Sequence, residues 1–403
     1  MGRYLVIASL FVLSLITYID RAAISSSKGV MAADLSLSDQ AMGAVFSAFA
    51  LGYAIAQIPS GWFADRFGPR LALSAVVTVW SLFTALTGAV RSLNVLLLIR
   101  FLFGIAEAGA FPGGARAIYN WLPVSARGIA NGVMFSGTRL GAAFAFPLMA
   151  QLIEGWGWRN AFYLLALPGL LWALLWGVFF RNQPAEPPAR EQSAAGSQPT
   201  FGQVFRSKAM ALNMFQYFSG NFTFFICLSW MLPYLQQRYE LSLTEAAGYS
   251  AIPLVFGGTA QWAAGFLVDR LYNSKHRAWS RRLPAITGFV LAAGAISVVS
   301  LMESPFGAVV CFAVATFGAD MTISPSWAYC IDIGGKNSGA VSGSMNMVGN
   351  FGSFVSANAF PFLFRLTGGA FTYFAIAALL NVISIACWAR MRPGMIMEAG
   401  SAR

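Results

Sequence analysis

Twelve long apolar segments occupy most of this 403-residue chain and restrict its fold more than any other feature. Each approaches the roughly 20 residues with which an α-helix crosses a bilayer. Only 10% of the residues are charged, against about 25% in soluble proteins. We therefore predict an all-α membrane protein with twelve transmembrane helices, near residues 5–27, 39–62, 70–90, 94–118, 128–153, 158–180, 208–236, 246–268, 284–302, 305–331, 338–364 and 370–391.

A polar stretch between the sixth and seventh segments divides the chain. It contains QPAEPPAREQSAAGSQP, a composition typical of flexible linkers. The pattern G-x-x-x-D-R follows the second segment at Gly61 and recurs after the eighth at Gly265. This repetition predicts two pseudo-symmetric six-helix bundles, at 1–180 and 208–403, joined by a cytoplasmic linker at 181–207. Transporters with such parallel halves bind their substrate between them near mid-membrane.

The net charge of +11 is spread over short loops and forms no basic stripe, so no nucleic-acid partner is expected. Placing both termini in the cytoplasm puts most Lys and Arg residues inside, as the positive-inside rule requires.

The four cysteines are isolated in apolar segments, which predicts neither a metal site nor disulfides. His276, the single histidine, lies in a basic loop away from any transport path. No nucleophile–base set or phosphate-binding loop indicates an enzyme.

Four charged residues lie inside predicted spans: Asp20, Arg21, Arg100 and Glu107. A charge at mid-bilayer costs about 2.5–3.5 kcal/mol on the mildest scale, so such residues pair, line a cavity or handle ions. Arg100 and Glu107 share a helix face but are about 10 Å apart along its axis. Asp20 and Arg21 diverge by about 100°, so each is expected to meet another helix. We predict one polar functional site.

The segment 61–70 closely resembles the loop motif of the major facilitator superfamily, and the resemblance covers essentially the whole chain. Three further motifs resemble the anion:cation symporter family, namely Tyr18-Ile-Asp20-Arg21, Arg100-x6-Glu107 and Phe111-Pro112-Gly113. That family includes proton-coupled bacterial carriers of galactonate, hexuronates and glucarate. The resemblance implies the major facilitator fold, a bacterial inner-membrane location and proton coupling through Asp20 and Glu107, with Arg100 in their network. No cofactor is expected apart from protons as the coupling ion.

The same resemblance implies a set of substrate contacts. Arg21 has a planar fork suited to a carboxylate and is the expected anchor. The other candidates that match the family are Tyr18, Tyr53, Ser324, Trp327, Asn346 and Asn350. Thr138 and Arg139 are also candidate substrate-binding residues, although the sugar-acid carriers tend to have a glutamine where Thr138 stands. Pro325 is expected to interrupt the tenth span and open its backbone towards a cavity.

Two positions depart from the family pattern, because Arg139 and Asp320 add a third cation and a third acid to the spans. Either they neutralise each other, or Arg139 holds a second anionic group of a dicarboxylate, aldarate or aromatic diacid.

The loop motifs have a different predicted role, as a conformational latch on the cytoplasmic side. Its residues are Gly61, Asp65, Arg66, Gly68, Arg70, Asp269 and Arg270.

The sequence thus predicts import of a small organic anion, such as a hexonate, hexuronate or aldarate, by proton symport with alternating access. A functional monomer in the lipid bilayer is expected. The open alternatives are a symporter of dicarboxylates or aromatic carboxylates, and an exporter of metabolites or drugs. An exporter of this fold more often has an apolar cavity with an isolated acid, whereas arginines are prominent here.

Overall fold

The computed structural model describes residues 2–184 and 199–391, and within those ranges the ordered elements are helices. The first part contains α1 Arg3–Ser26, α2 Lys28–Asp34, α3 Asp39–Phe67, α4 Pro69–Gly88, α5 Leu93–Glu107, α6 Ala110–Trp121 and α7 Arg127–Phe179. The second part contains α8 Phe201–Phe205, α9 Lys208–Ser229, α10 Met231–Tyr239, α11 Leu243–Tyr272, α12 Arg282–Val298, α13 Pro305–Met321, α14 Ile323–Gly334, α15 Ser338–Thr367 and α16 Phe371–Arg390.

Side-chain caps begin several of these helices. Ser38 accepts a hydrogen bond from the backbone of Ala41 at the start of α3. Ser242 and Glu245 form a reciprocal capping box at α11. Such caps satisfy backbone N–H groups that lack an intrahelical partner. Most of the predicted linker, 185–198, lies outside the described residues, and α8 occupies part of its remainder.

Nine stretches of the described chain are long and apolar enough to cross a membrane. Two of them, Val124–Phe179 and Pro305–Thr367, have 56 and 63 residues, far beyond one crossing. Gly157, with φ +76°, kinks the first at the predicted fifth-to-sixth turn, and Thr322 separates α13 from α14 in the second. The chain is a multi-pass integral membrane protein. The count of twelve stays a prediction.

The described chain divides into two compact units. Unit 1 comprises residues 2–123, 134–184 and 334–343. One of its cores is a cluster that includes Ala23, Val45, Leu96 and Phe162. Unit 2 comprises 124–133, 199–333 and 344–391. Each unit therefore includes a ten-residue segment that sequence order alone would assign to the opposite half.

Close packing of α3 against α5 positions the polar residues of unit 1. A Cβ at Gly104 would overlap the carbonyl oxygen of Phe49 and lie 2.8 Å from the amide nitrogen of Tyr53. A Cβ at Gly52 would likewise overlap the carbonyl of Phe101. Glycine at both positions lets the two backbones touch, as small residues do between membrane helices. The side chains flanking this contact are consequently held at short range.

Candidate functional site

An ion pair between α1 and α5 forms the centre of the candidate site in unit 1. The Nε of Arg21 donates to Oε2 of Glu107 at 2.6 Å. The Glu107 side chain is fully buried and that of Arg21 is 19% exposed. A buried charge-assisted bond of this length is strong, and breaking it by removing one partner leaves an uncompensated charge. Of the two predicted membrane cations nearby, Arg21 rather than Arg100 thus holds the glutamate.

Aromatic rings surround the Arg21 guanidinium. Its Cζ lies 4.3 Å from the ring centroid of Tyr53, 5.1 Å from Tyr18 and 5.3 Å from Phe49. These are cation–π distances, and the attraction strengthens where the groups are removed from water. Both tyrosines predicted from sequence are therefore next to the expected carboxylate anchor. Phe49 was not among the predicted residues.

Arg100 is held differently. Its Cζ lies 4.5 Å from the ring of Phe103 and 5.1 Å from that of Phe49. The side chain is almost fully buried, and its Nε has no hydrogen-bond partner. Arg100 makes no ion pair within 4 Å among the described residues. Aromatic rings and longer-range attraction to carboxylates stabilise this cation.

Several buried polar atoms of the cluster have unused hydrogen-bonding capacity. They are both carboxyl oxygens of Asp20, Nη2 of Arg21 and Oε1 of Glu107. Asp20 is buried, with the charges of Glu107 and Arg100 and the indole of Trp80 as neighbours. A buried unsatisfied polar group costs about 1–3 kcal/mol, so such a concentration is expected at functional sites. These atoms can bind a carboxylate, a hydroxyl or a proton.

In unit 2, Trp327 of α14 is fully buried and donates its indole N–H to the hydroxyl of Tyr217 at 2.9 Å. Tyr217 and Asn221 of α9 approach α15 so closely that a Cβ at Gly349 would lie 2.8 Å from Asn221 Nδ2 and overlap the Tyr217 ring. The side chain of Asn350 donates to the carbonyl of Asn346, one turn earlier on α15, at 2.7 Å. Of the four predicted residues of this half, Trp327 thus contacts α9 directly, and Asn346 and Asn350 lie on the helix whose Gly349 packs against α9.

The remaining candidate substrate residues have backbone partners or stay as predictions. The Ser324 hydroxyl donates to the carbonyl of Gly128 at 2.7 Å, within unit 2. The Thr138 hydroxyl donates to the carbonyl of Phe135 at 2.6 Å, within unit 1. Arg139 is half-buried and Asp320 is buried. Contact of any of these side chains with a substrate remains a prediction.

The first loop motif binds a helix N-terminus within unit 1. The Asp65 carboxylate accepts hydrogen bonds from the amides of Gly339 and Ala340, both at 2.8 Å, at the start of α15. Anions are stabilised there by unpaired N–H groups and the helix dipole. A Cβ at Gly61 would lie 2.7 Å from the Ala340 nitrogen, so glycine is required for this approach. Arg116 approaches Asp65 at 3.9 Å.

The other members of this motif make local contacts. The Nε of Arg70 donates to the carbonyl of Gly177 at 2.7 Å, and its amide donates to the side chain of Asn182. Gly68 has φ +83°, which favours glycine at the α3–α4 turn. Arg66 stacks on Trp62 at 5.3 Å.

The second loop motif repeats this arrangement within unit 2. Asp269 accepts hydrogen bonds from the amides of Gly128 and Ile129, at 2.8 and 2.7 Å, at the start of α7. Arg270 lies 5.9 Å from the ring of Phe266. The two aspartates thus bind equivalent helix N-termini, as the repeated sequence pattern indicates.

A family model for the Major Facilitator Superfamily matches residues 10–357. The chain belongs to that superfamily. It is 32% identical over 95% of its length, and 93% of the relative's, to a "Probable sulfoacetate transporter SauU" of Cupriavidus necator. It is 30% identical to a "Hexuronate transporter" of Bacillus subtilis, covering 98% of this chain and 96% of the relative. A "Probable galactarate/D-glucarate transporter GudP" of Bacillus subtilis is 29% identical, with coverage of 94% and 91%.

Solved structures agree on the fold of this major facilitator protein. The proton:xylose symporter XylE has a TM-score of 0.76 at 14% identity, covering 98% of each chain. The human organic anion transporter MFSD10 has a TM-score of 0.74 at 16% identity, covering 96% of this chain and 100% of that one. The predicted all-α membrane fold and the resemblance to sugar-acid carriers are confirmed, and the relatives are transporters.

Sequence reasoning missed several residues of this facilitator that the structure places in ion pairs or beside the candidate site. Asp332 in unit 2 binds both Arg127, at 2.6 Å, and Arg281, at 3.1 Å. Its sequence surroundings carry no signal for those partners, which are 205 and 51 residues away. Phe49 lies one helical turn before Tyr53, and that spacing was the available signal for it. Among the described residues, no group of three His, Cys, Asp or Glu side chains is arranged to hold a metal.

Proposed function

We propose that this facilitator imports a small organic anion, such as a hexonate, hexuronate or aldarate, by proton symport with alternating access. The observation that carries the proposal is the buried Arg21–Glu107 ion pair. Relatives with names of sugar-acid transporters span nearly the whole chain and support the substrate class. We place the protein in a bacterial inner membrane, as a monomer with cytoplasmic termini and no cofactor besides the coupling protons.

The proposed cycle is an exchange of partners on Arg21. A proton arriving from outside neutralises Glu107 and weakens its hold on the guanidinium. The planar fork is then free to bind the substrate carboxylate, with the Tyr18 and Tyr53 hydroxyls placed beside it for the polyol chain. Loss of the proton inside restores the ion pair and expels the substrate. Asp20 serves as a second proton site, with Arg100 part of its electrostatic surroundings.

Alternating access would follow from making and breaking the two aspartate latches. Asp65 and Asp269 each bind two backbone amides, so release of a latch costs two charge-assisted hydrogen bonds. Rocking of pseudo-symmetric halves is the usual transport motion of this architecture. Because the latch residues are separate from the Arg21 site, they act on conformation rather than on substrate choice.

A dianionic substrate is the second candidate. Sulfoacetate, galactarate and glucarate, which appear in the relatives' names, each carry two acidic groups. Arg139 supplies a further cation in a predicted span. Under this reading Arg21 holds one acidic group and Arg139 the other, and an aldarate or short dianion would be preferred over a hexonate.

Purified protein in proteoliposomes tests the proposal. We expect uptake of at least one sugar acid or dianion that rises when the exterior is acidified and collapses with a protonophore. A thermal-shift screen of sugar acids, dicarboxylates and aromatic acids selects the substrate, because a ligand of the native state raises its stability. Uptake that does not depend on the pH gradient would exclude proton symport. Absence of binding and uptake for all these anions would exclude the proposed substrate class.

A further inference from the structure

One aromatic ring contacts both guanidinium groups of the candidate site. The centroid of Phe49 lies 5.3 Å from Cζ of Arg21 and 5.1 Å from Cζ of Arg100. The same ring packs against Tyr53 at 5.7 Å and Phe103 at 5.6 Å. These two neighbours are the closest aromatic partners of Arg21 and Arg100, respectively. Phe49 therefore joins the two arginine environments into one aromatic surface.

The backbone that carries this ring is packed tightly against α5. The Phe49 carbonyl faces Gly104, at the point where α3 and α5 touch and where any Cβ would overlap it. From this backbone the ring packs against Phe103 at 5.6 Å and lies 5.1 Å from Cζ of Arg100. Leucine at this position would keep much of the bulk, but it would have no π-face for either cation.

Arg21 and Arg100 are both attracted to the Glu107 carboxylate, and the Phe49 ring can affect which of them binds it. Glu107 is bound by Arg21, while Arg100 is attracted to the same carboxylate over a longer distance. Arg100 has no ion-pair partner of its own within the described chain, so the rings of Phe49 and Phe103 are its close contacts. Without the Phe49 face, Arg100 loses one of these two contacts. Its cation would then compete with Arg21 for Glu107.

We propose that Phe49 is a positioning residue that keeps Arg100 off Glu107 and leaves that carboxylate to Arg21. This inference rests on the proposed proton-coupled transport, because it assigns the ring to the coupling pair. Glu107 would then bind Arg21 and not Arg100. One acidic group of the substrate would replace Glu107 on Arg21 when Glu107 is protonated. A carrier in which Arg100 also reached Glu107 would bind substrate without needing a proton.

The test compares Phe49→Leu with Phe49→Tyr and Phe49→Trp in proteoliposomes. We expect Phe49→Leu to lower gradient-driven accumulation about five-fold relative to counterflow exchange measured without a gradient. The tyrosine and tryptophan variants, which keep a π-face, should restore the wild-type ratio. Phe46→Leu is the matched control, since Phe46 lies one turn earlier on α3 and packs against the apolar core of unit 1.

A double variant separates positioning from packing. If Phe49 acts through Arg100, the substitution Phe49→Leu should change the ratio little in an Arg100→Gln background. A Phe49→Leu ratio equal to wild type, or a Phe49→Tyr variant as impaired as Phe49→Leu, overturns the inference. Those results leave the proposed function intact, whereas wild-type protein without proton-driven uptake refutes the function itself. A thermal melt of each variant, with and without substrate, identifies proteins that fail to fold.

Discussion

Replacing Glu107 with glutamine should separate substrate binding from proton coupling. The side chain is fully buried, and its Oε2 accepts the Nε–H of Arg21 at 2.6 Å. A hydrogen bond to a charged group contributes about 1.5–3 kcal/mol, against about 0.5–1.5 for a neutral one. Glutamine keeps the acceptor and loses the charge, so the hydrogen bond that holds Arg21 weakens by about 1–1.5 kcal/mol. Since 1.4 kcal/mol is tenfold in affinity, we expect the variant to bind the anion about tenfold tighter at neutral pH.

The assay combines three measurements on Glu107→Gln. Substrate titration of purified protein gives the dissociation constant, which should become nearly independent of pH. Counterflow exchange should persist, while accumulation driven by a pH gradient should fall to background. Glu154→Gln is the control, because it makes the same change at an exposed position on α7. Surviving accumulation would falsify the coupling role, and weaker binding would refute the idea that Glu107 and substrate compete for Arg21.

Three other substitutions test the packing, latch and substrate assignments. Gly104→Ala should destabilise the protein by more than about 2 kcal/mol, because its Cβ would overlap backbone atoms of α3; Gly294→Ala, with open space around it, should be nearly neutral in the same melting experiment. Asp65→Asn should weaken the bonds to the start of α15 by about 1–2 kcal/mol, seen as an altered rate of counterflow with unchanged substrate affinity. Arg139→Ala should weaken binding of diacids at least tenfold and spare monoacids; strict monoacid preference that survives the substitution contradicts the dianion reading.

The helices were largely predictable from sequence because a bilayer sets their length. The predicted spans 70–90 and 370–391 correspond to Pro69–Gly88 and Phe371–Arg390. The break after Glu107, between α5 and α6, was not predicted, because the apolar pattern runs through it without interruption. Hydropathy reports whether a segment prefers lipid, and it carries no information on where a helix is interrupted inside the protein.

The charged residues of the site were predictable for a related reason, since charge in a span is costly and therefore conspicuous. The partners were less predictable. Helical geometry indicated that Asp20 and Arg21 would meet different helices, but it did not single out Arg21 over Arg100 for Glu107. Phe49 is one of 35 phenylalanines, and its spacing from Tyr53 is a weak signal beside its distances to two guanidinium groups in the structure.

Strict coupling requires that Arg21 have a single carboxylate partner in the protein. Asp20 is adjacent in sequence, yet neither of its oxygens bonds to the guanidinium, and the remaining close contacts of Arg21 are aromatic rings. Rings stabilise the cation without offering it a competing anion. The guanidinium then has two anionic choices, Glu107 or the substrate, and protonation of Glu107 decides between them. A carboxylate placed in that aromatic shell, as in Tyr53→Glu, would give Arg21 a third choice and should leave exchange without accumulation.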